Sequence, residues 1–123
     1  MAKILIADDE EKVRELLESI LAEEGHDLEF AKNGEEVLDK FDQEIDIVVT
    51  DILMPEKEGM EVIRKLKEKN KQVKTIAISG GGQIGPDRYL DLAEKLGADD
   101  KIKKPFGPDK LIQSINNLLE IGG

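Results

Sequence analysis

An α/β fold, a parallel sheet covered by helices on both faces, follows from three observations. Short apolar runs alternate five times with longer segments of helical period, an order that favours parallel strands joined by crossover helices. The chain has 123 residues, enough for one domain, 1–123, with a real core and too few for two. Acids, a hydroxyl and a lysine recur where the apolar runs end, the edge at which ligands collect in open parallel sheets. Periodicity gives the class but not the strand order.

Each element can be justified in turn. Ile4-Leu5-Ile6-Ala7 reads as the first strand, ended by Asp8-Asp9. Val13, Leu16, Leu17, Ile20 and Leu21 fall at i, i+3, i+4, i+7 and i+8, one face of an amphipathic helix that Gly25 closes. Leu28 and Phe30 alternate with Asp27 and Glu29, a strand half exposed at a sheet edge. Asn33-Gly34 turns the chain into a short helix carrying Val37, Leu38 and Phe41. The β-branched run from Ile45 to Thr50 reads as a third strand buried on both faces, and it delivers Asp51.

Gly59 then opens a helix with Val62, Ile63 and Leu66 on one side. Thr75 to Ser79 is a fourth strand, followed by the glycine-rich "GGGQIGP". Leu90, Leu92, Ala93 and Leu96 predict another helix, stopped at Gly97. A short strand around Lys101 to Lys103 precedes Lys104-Pro105, and the last helix carries Leu111, Ile112, Ile115, Leu118 and Leu119.

Composition narrows the partners. Lys+Arg 18 against Asp+Glu 28 leaves a net charge of −10, which repels a phosphate backbone. Three Phe, one Tyr and no Trp leave little for bases to stack on, so no direct nucleic-acid binding is expected. Proteins or small ligands are the expected partners. Absence of cysteine excludes disulfides, thiolate metal sites and thiol catalysis. No apolar run approaches the ~20 residues that span a bilayer, nothing at the N-terminus resembles a signal peptide, and no membrane association is expected. A cytoplasmic location fits this pattern. His26, the single histidine, reads as a plain surface residue.

The strand ends carry the chemistry. Strands one, three, four and five end in Asp8-Asp9, Asp51, Ser79 and Lys104, all on one edge of a parallel sheet. Clustered carboxylates repel, so some protonate or a cation binds among them. Oxygen ligands without His or Cys suit a hard cation, Mg²⁺ before Ca²⁺. A hydroxyl and a lysine facing carboxylate-bound Mg²⁺ are the parts needed to hold a phosphoryl group, whose transfer is mostly positioning and charge neutralisation. A carboxylate can itself be the nucleophile, giving an acyl phosphate. Asp51 is best placed, because it ends the strand expected to be central.

Taken singly, these residues are unremarkable chemistry. Asp8-Asp9 reads equally as an acidic helix cap, Ser79 as a loop hydroxyl and Lys103-Lys104 as solvated charge. Their convergence separates the readings. "GGGQIG" lacks the Gly-Lys-Ser/Thr that completes a nucleotide phosphate loop.

With "ADDE" at 7–10, "TDILMPEKEG" at 50–59, "AISG" at 77–80 and "GADDKIKKPF" at 97–106, the sequence resembles the receiver domains of two-component response regulators. The resemblance runs from Lys3 to the last helix. It implies a flavodoxin-like sheet of strand order 2-1-3-4-5 with five helices, and Asp51 as the phosphoacceptor. It implies Mg²⁺ bound by Asp9, Asp51 and the backbone carbonyl of Leu53, with Asp8 acting through water. Ser79 and Lys104 would hold phosphoryl oxygens, and Lys104-Pro105 would be a cis peptide.

A sensor histidine kinase or histidine phosphotransfer protein is the implied donor, and a downstream protein the implied target. No enzymatic activity is implied beyond the chain's own phosphorylation and dephosphorylation. Typical receivers carry Tyr or Phe where this chain has Lys101, and an ammonium does not fill an aromatic ring's apolar slot. Output through the glycine-rich loop and the helix after it is therefore the expectation. Leu53 and Gly81, which flank the attacking-water path in related proteins, cannot orient a water with their side chains, so slow self-dephosphorylation is expected.

A stand-alone regulator is expected ahead of a receiver excised from a larger regulator or hybrid kinase. The competing class is a flavodoxin-like binding module without signalling. Asp8-Asp9-Glu10-Glu11 stands where a Ser/Thr-rich flavin loop would lie, and aromatics are only 3%, both against it. A purely structural receiver would be expected to lack an acid or the lysine.

Overall fold

The computed structural model describes residues 2–8, 10–51, 58–70, 72–79, 95, 97–103 and 107–122. In chain order the elements are β1 (Lys3–Ala7), α1 (Glu11–Ala22), β2 (Asp27–Ala31), α2 (Gly34–Lys40), β3 (Ile47–Asp51), α3 (Glu58–Lys69), β4 (Lys74–Ser79), β5 (Asp100–Lys103) and α4 (Pro108–Gly122). The strands form one parallel sheet in the order β2-β1-β3-β4-β5, as the family resemblance implies. The expected helix through Leu90, Leu92, Ala93 and Leu96 lies outside the described residues.

Strand side chains alternate between faces, and two apolar layers result. Ile4 and Ile6 of β1, Ile47 and Val49 of β3, Ile76 and Ile78 of β4 and Ile102 of β5 pack with Leu17 and Leu21 of α1 and with Leu111, Ile115 and Leu118 of α4. Leu5, Ala7 and Val48 face the other way and pack with Val37 of α2 and Val62 and Leu66 of α3. β3 sits in the middle of the sheet and every one of its residues is buried. Each fully buried aliphatic contributes about 1.5–3 kcal/mol relative to exposure, which is why this run of Ile and Val becomes the central strand.

Local signals set the helix limits. Asn33 caps α2, its side-chain oxygen accepting the Glu36 amide at 2.8 Å, while Glu36 Oε1 accepts the Lys32 amide at 3.0 Å. Phe41 stands just past α2 in extended backbone (φ −66°, ψ 131°) and packs under the sheet from there. Gly25, after α1, takes φ 81°, a left-handed conformation that suits glycine.

Two expectations shift. Leu16 is on the apolar stripe of α1 yet is 56% exposed. At 3.6 residues per turn it lies about 120° around the helix from the mean direction of Leu17 and Leu21, beyond the reach of the sheet. Ile45 is buried but precedes the strand, its amide donating to Asp42 O in a turn at 3.2 Å. The first registered pair of β1 and β3 is Ile4 with Ile47. Asp46, just before it, accepts the Lys3 amide on Oδ2 at 2.9 Å and anchors the start of the sheet.

Candidate functional site

Register brings the expected site residues to one edge. Ala7 of β1 is opposite Thr50 of β3, so the residues that follow, Asp8 and Asp51, leave adjacent strands side by side. Asp51 is opposite Ile78 of β4, and Ser79 is the next residue. Ser79 in turn is opposite Lys103 of β5. The carboxyl ends of β1, β3, β4 and β5 thus meet, and for Ser79 it is the backbone that is placed. Asp9, Leu53 and Lys104, with the Lys104-Pro105 peptide, lie outside the described residues.

The two described acids are both buried, Asp8 at 1% and Asp51 at 6% exposure. Asp8 is two residues beyond Ile6 and Asp51 two beyond Val49, so alternation puts both on the α1 and α4 side of the sheet. Burying a carboxylate is costly unless something compensates its charge. Asp8 is tied down closely: its amide donates to Ala31 O of β2 at 3.1 Å, and its Oδ1 accepts the Glu10 amide at 2.9 Å. Arg14 Nη1 of α1 donates to the Asp8 carbonyl at 2.5 Å. On β3 the Thr50 hydroxyl donates to the Asp51 carbonyl at 3.3 Å.

Adjacent strands run about 4.8 Å apart, so two ionised acids at equivalent positions repel strongly in a desolvated setting. A bound cation would relieve that repulsion, and carboxylate oxygens are the ligand type that a hard ion such as Mg²⁺ takes. Among the described residues the acids form a pair, not a group of three metal-ligating side chains. Lys101 of β5 is half-buried and registers with Ala77 of β4.

Sequence reasoning missed Arg14, whose contact with Asp8 no local pattern announces. It also underrated His26, which is half-buried and whose Nδ1 accepts the Ala2 amide at 3.2 Å. Neither contact follows a periodic rule, since each depends on where a turn delivers the backbone.

A family model, the response regulator receiver domain, matches residues 4–116. The chain belongs to that family. Among curated relatives, response regulator SaeR of Staphylococcus aureus is 34% identical over 119 residues, covering 97% of this chain and 51% of SaeR. The receiver domain described here thus spans about half the length of the curated relatives it matches.

Solved structures agree with the fold. A response regulator receiver domain protein of Clostridium thermocellum superimposes with a TM-score of 0.88 at 32% identity, covering 98% of this chain and 95% of that one. Response regulator TrrA of Thermotoga maritima, solved in complex with Mg²⁺ and BeF, gives a TM-score of 0.83 at 37% identity, covering 96% and 99%. The alternative of a non-signalling flavodoxin-like module is not favoured by these matches. Among the described residues no helix of this receiver domain is long and apolar enough to cross a membrane.

Proposed function

We propose that this receiver domain accepts a phosphoryl group on Asp51, with Mg²⁺, from the phosphohistidine of a sensor histidine kinase or histidine phosphotransfer protein. The observation that carries the reading is the pair of nearly fully buried carboxylates, Asp8 and Asp51, ending adjacent strands at the carboxyl edge of the sheet. Such a pair fits a hard divalent ion. The complex of the relative TrrA with Mg²⁺ and BeF supports the same donor chemistry.

Asp9, Asp51 and the Leu53 carbonyl would hold the ion, with Asp8 acting through water. When bound, Mg²⁺ neutralises charge on the phosphoryl oxygens. An Asp51 carboxylate oxygen attacks phosphorus, the bond from phosphorus to the donor imidazole breaks, and the imidazole leaves with the electron pair. Ser79 and Lys104 hold phosphoryl oxygens.

The product carries roughly 1.5–2 negative charges where one stood. That change biases a two-state equilibrium and alters a surface read by a downstream protein. With Lys101 in place of an aromatic, the readout would run through the glycine-rich segment that follows Ser79 in the sequence. The net charge of −10 argues for protein partners and against direct nucleic-acid binding, and a cytoplasmic setting accords with a kinase donor. The side chains of Leu53 and Gly81 cannot orient an attacking water, which argues for a long-lived phosphoryl group.

The test compares wild type with Asp51→Asn, each given Mg²⁺ and a small phosphodonor, by intact mass. One phosphoryl group on wild type and none on Asp51→Asn is expected. Modification that persists in the variant, or an unmodified wild type, overturns the proposal. A phosphorylated lifetime of seconds would contradict the slow hydrolysis.

A further inference from the structure

We infer that Arg14 is a positioning residue for the Mg²⁺ and phosphoryl site, an inference that rests on the function proposed above. Three hydrogen bonds close a ring at the start of α1. Asp8 Oδ1 accepts the Glu10 amide at 2.9 Å, Glu10 O accepts the Arg14 amide at 3.1 Å, and Arg14 Nη1 returns to the Asp8 carbonyl at 2.5 Å. The strand exit and the first helical turn are thereby locked to each other.

The carbonyl that Arg14 grips belongs to the planar peptide unit leading from Asp8 into the next residue. Fixing that plane fixes the direction in which the chain leaves β1, and with it the Asp8 side chain that Glu10 already orients. Arg14 is half-buried, whereas its helix neighbours Lys12 and Glu15 are exposed. Its guanidinium offers several donors in a rigid fork. A carbonyl dipole next to two buried carboxylates is a site where such a group offsets negative potential without itself taking a place as a ligand. Supports of this outer kind commonly change metal affinity when removed.

The test uses the unphosphorylated, full chain and Mg²⁺ alone. Arg14→Met keeps the aliphatic stem and removes both charge and donors. Mg²⁺ affinity, followed through the Asp8 and Asp51 amide resonances, is expected to fall roughly tenfold. In the metal-free protein the Glu10 amide is expected to exchange faster while β3 amides keep their protection. Arg14→Lys, which retains charge and one donor site, is expected to recover most of the affinity.

Unchanged Mg²⁺ affinity with unchanged Glu10 protection in Arg14→Met overturns the inference. Tighter Mg²⁺ binding also overturns it, because it would make Arg14 an electrostatic competitor of the ion. Should Arg14→Met fail to fold, Arg14→Gln removes the charge and the guanidinium fork on a shorter methylene stem, and the same fall in Mg²⁺ affinity is expected of it. A wild-type protein that binds no Mg²⁺ removes the proposed function itself, and so the two failures are distinguishable.

Discussion

Ser114 on α4 donates its hydroxyl hydrogen to the Asp100 carboxylate on β5, joining the last helix to the edge strand. Ser114 is 3% exposed, and the other Asp100 oxygen accepts the Lys101 amide at 2.8 Å. Removing the hydroxyl leaves a partly buried carboxylate short of a donor, and hydrogen bonds to charged groups contribute about 1.5–3 kcal/mol. Ser114→Ala is expected to lose stability in that range in urea denaturation. A loss below about 0.5 kcal/mol, the usual scale of surface substitutions, would show the bond to be incidental.

Leu16 and Leu17 are neighbours in sequence with opposite surroundings, 56% against 1% exposed. Leu17→Ala empties a closed apolar site and is expected to cost about 2–5 kcal/mol. Leu16→Ala is expected to stay within about 0.5 kcal/mol. Equal effects in parallel denaturation curves would contradict the orientation of α1.

Gly97 precedes β5 with φ 116°, and a Cβ there would stand 3.0 Å from Lys67 Cγ. Lys67 has little room to retreat, since its ammonium donates at 2.7 Å to both Asp99 Oδ2 and Val73 O. Gly97→Ala therefore meets backbone strain and a crowded neighbour together. The expected cost is about 1–3 kcal/mol, read as a lowered thermal midpoint. Gly107 makes the control, because nothing lies within 4 Å of the Cβ position there.

Lys3 lies among three acids, from β2 and from the loop before β3, with its ammonium 3.5 Å from Asp42, 3.7 Å from Glu44 and 3.9 Å from Glu29. Desolvation pulls its pKa down, yet Asp42, Glu29 and Glu44 together raise it above the ordinary 10.5. A raised lysine stabilises the fold fully below its unfolded pKa and loses that contribution as pH climbs through the folded value. Stability from this source is thus constant around neutrality and declines only in strong alkali. Carbon-13 NMR of the Lys3 side chain is expected to place its titration above pH 10.5, and added salt to draw it back. A midpoint below 10.5 would count against the cluster.

Much of the architecture was legible because burial imposes simple periods. Ile4 and Ile6 against Leu5 and Ala7 alternate faces as the sequence pattern requires, and Val62 and Leu66, at helical spacing on α3, join Val37 of α2 in the layer that Leu5 and Ala7 face. The edge position of Asp8 and Asp51 was legible too, since parallel strands align their carboxyl ends. Strand order was not a matter of period and came only from family resemblance. Polar contacts between distant segments, Lys67 with Asp99 or Arg14 with Asp8, leave no periodic trace. Ile45 misled because a β-branched residue can satisfy its preference for burial from a turn.

The outermost strand β2 has one more consequence. Among the described residues it pairs with β1 alone, so its far side offers backbone groups to which another extended chain could add, although the Phe30 carbonyl there already accepts from Lys40 Nζ. Asp27 and Glu29 carry acidic side chains along that rim, and ionic residues make accretion of a foreign strand unfavourable. In crowded solution the molecule is thereby guarded against self-assembly into fibrils along this border.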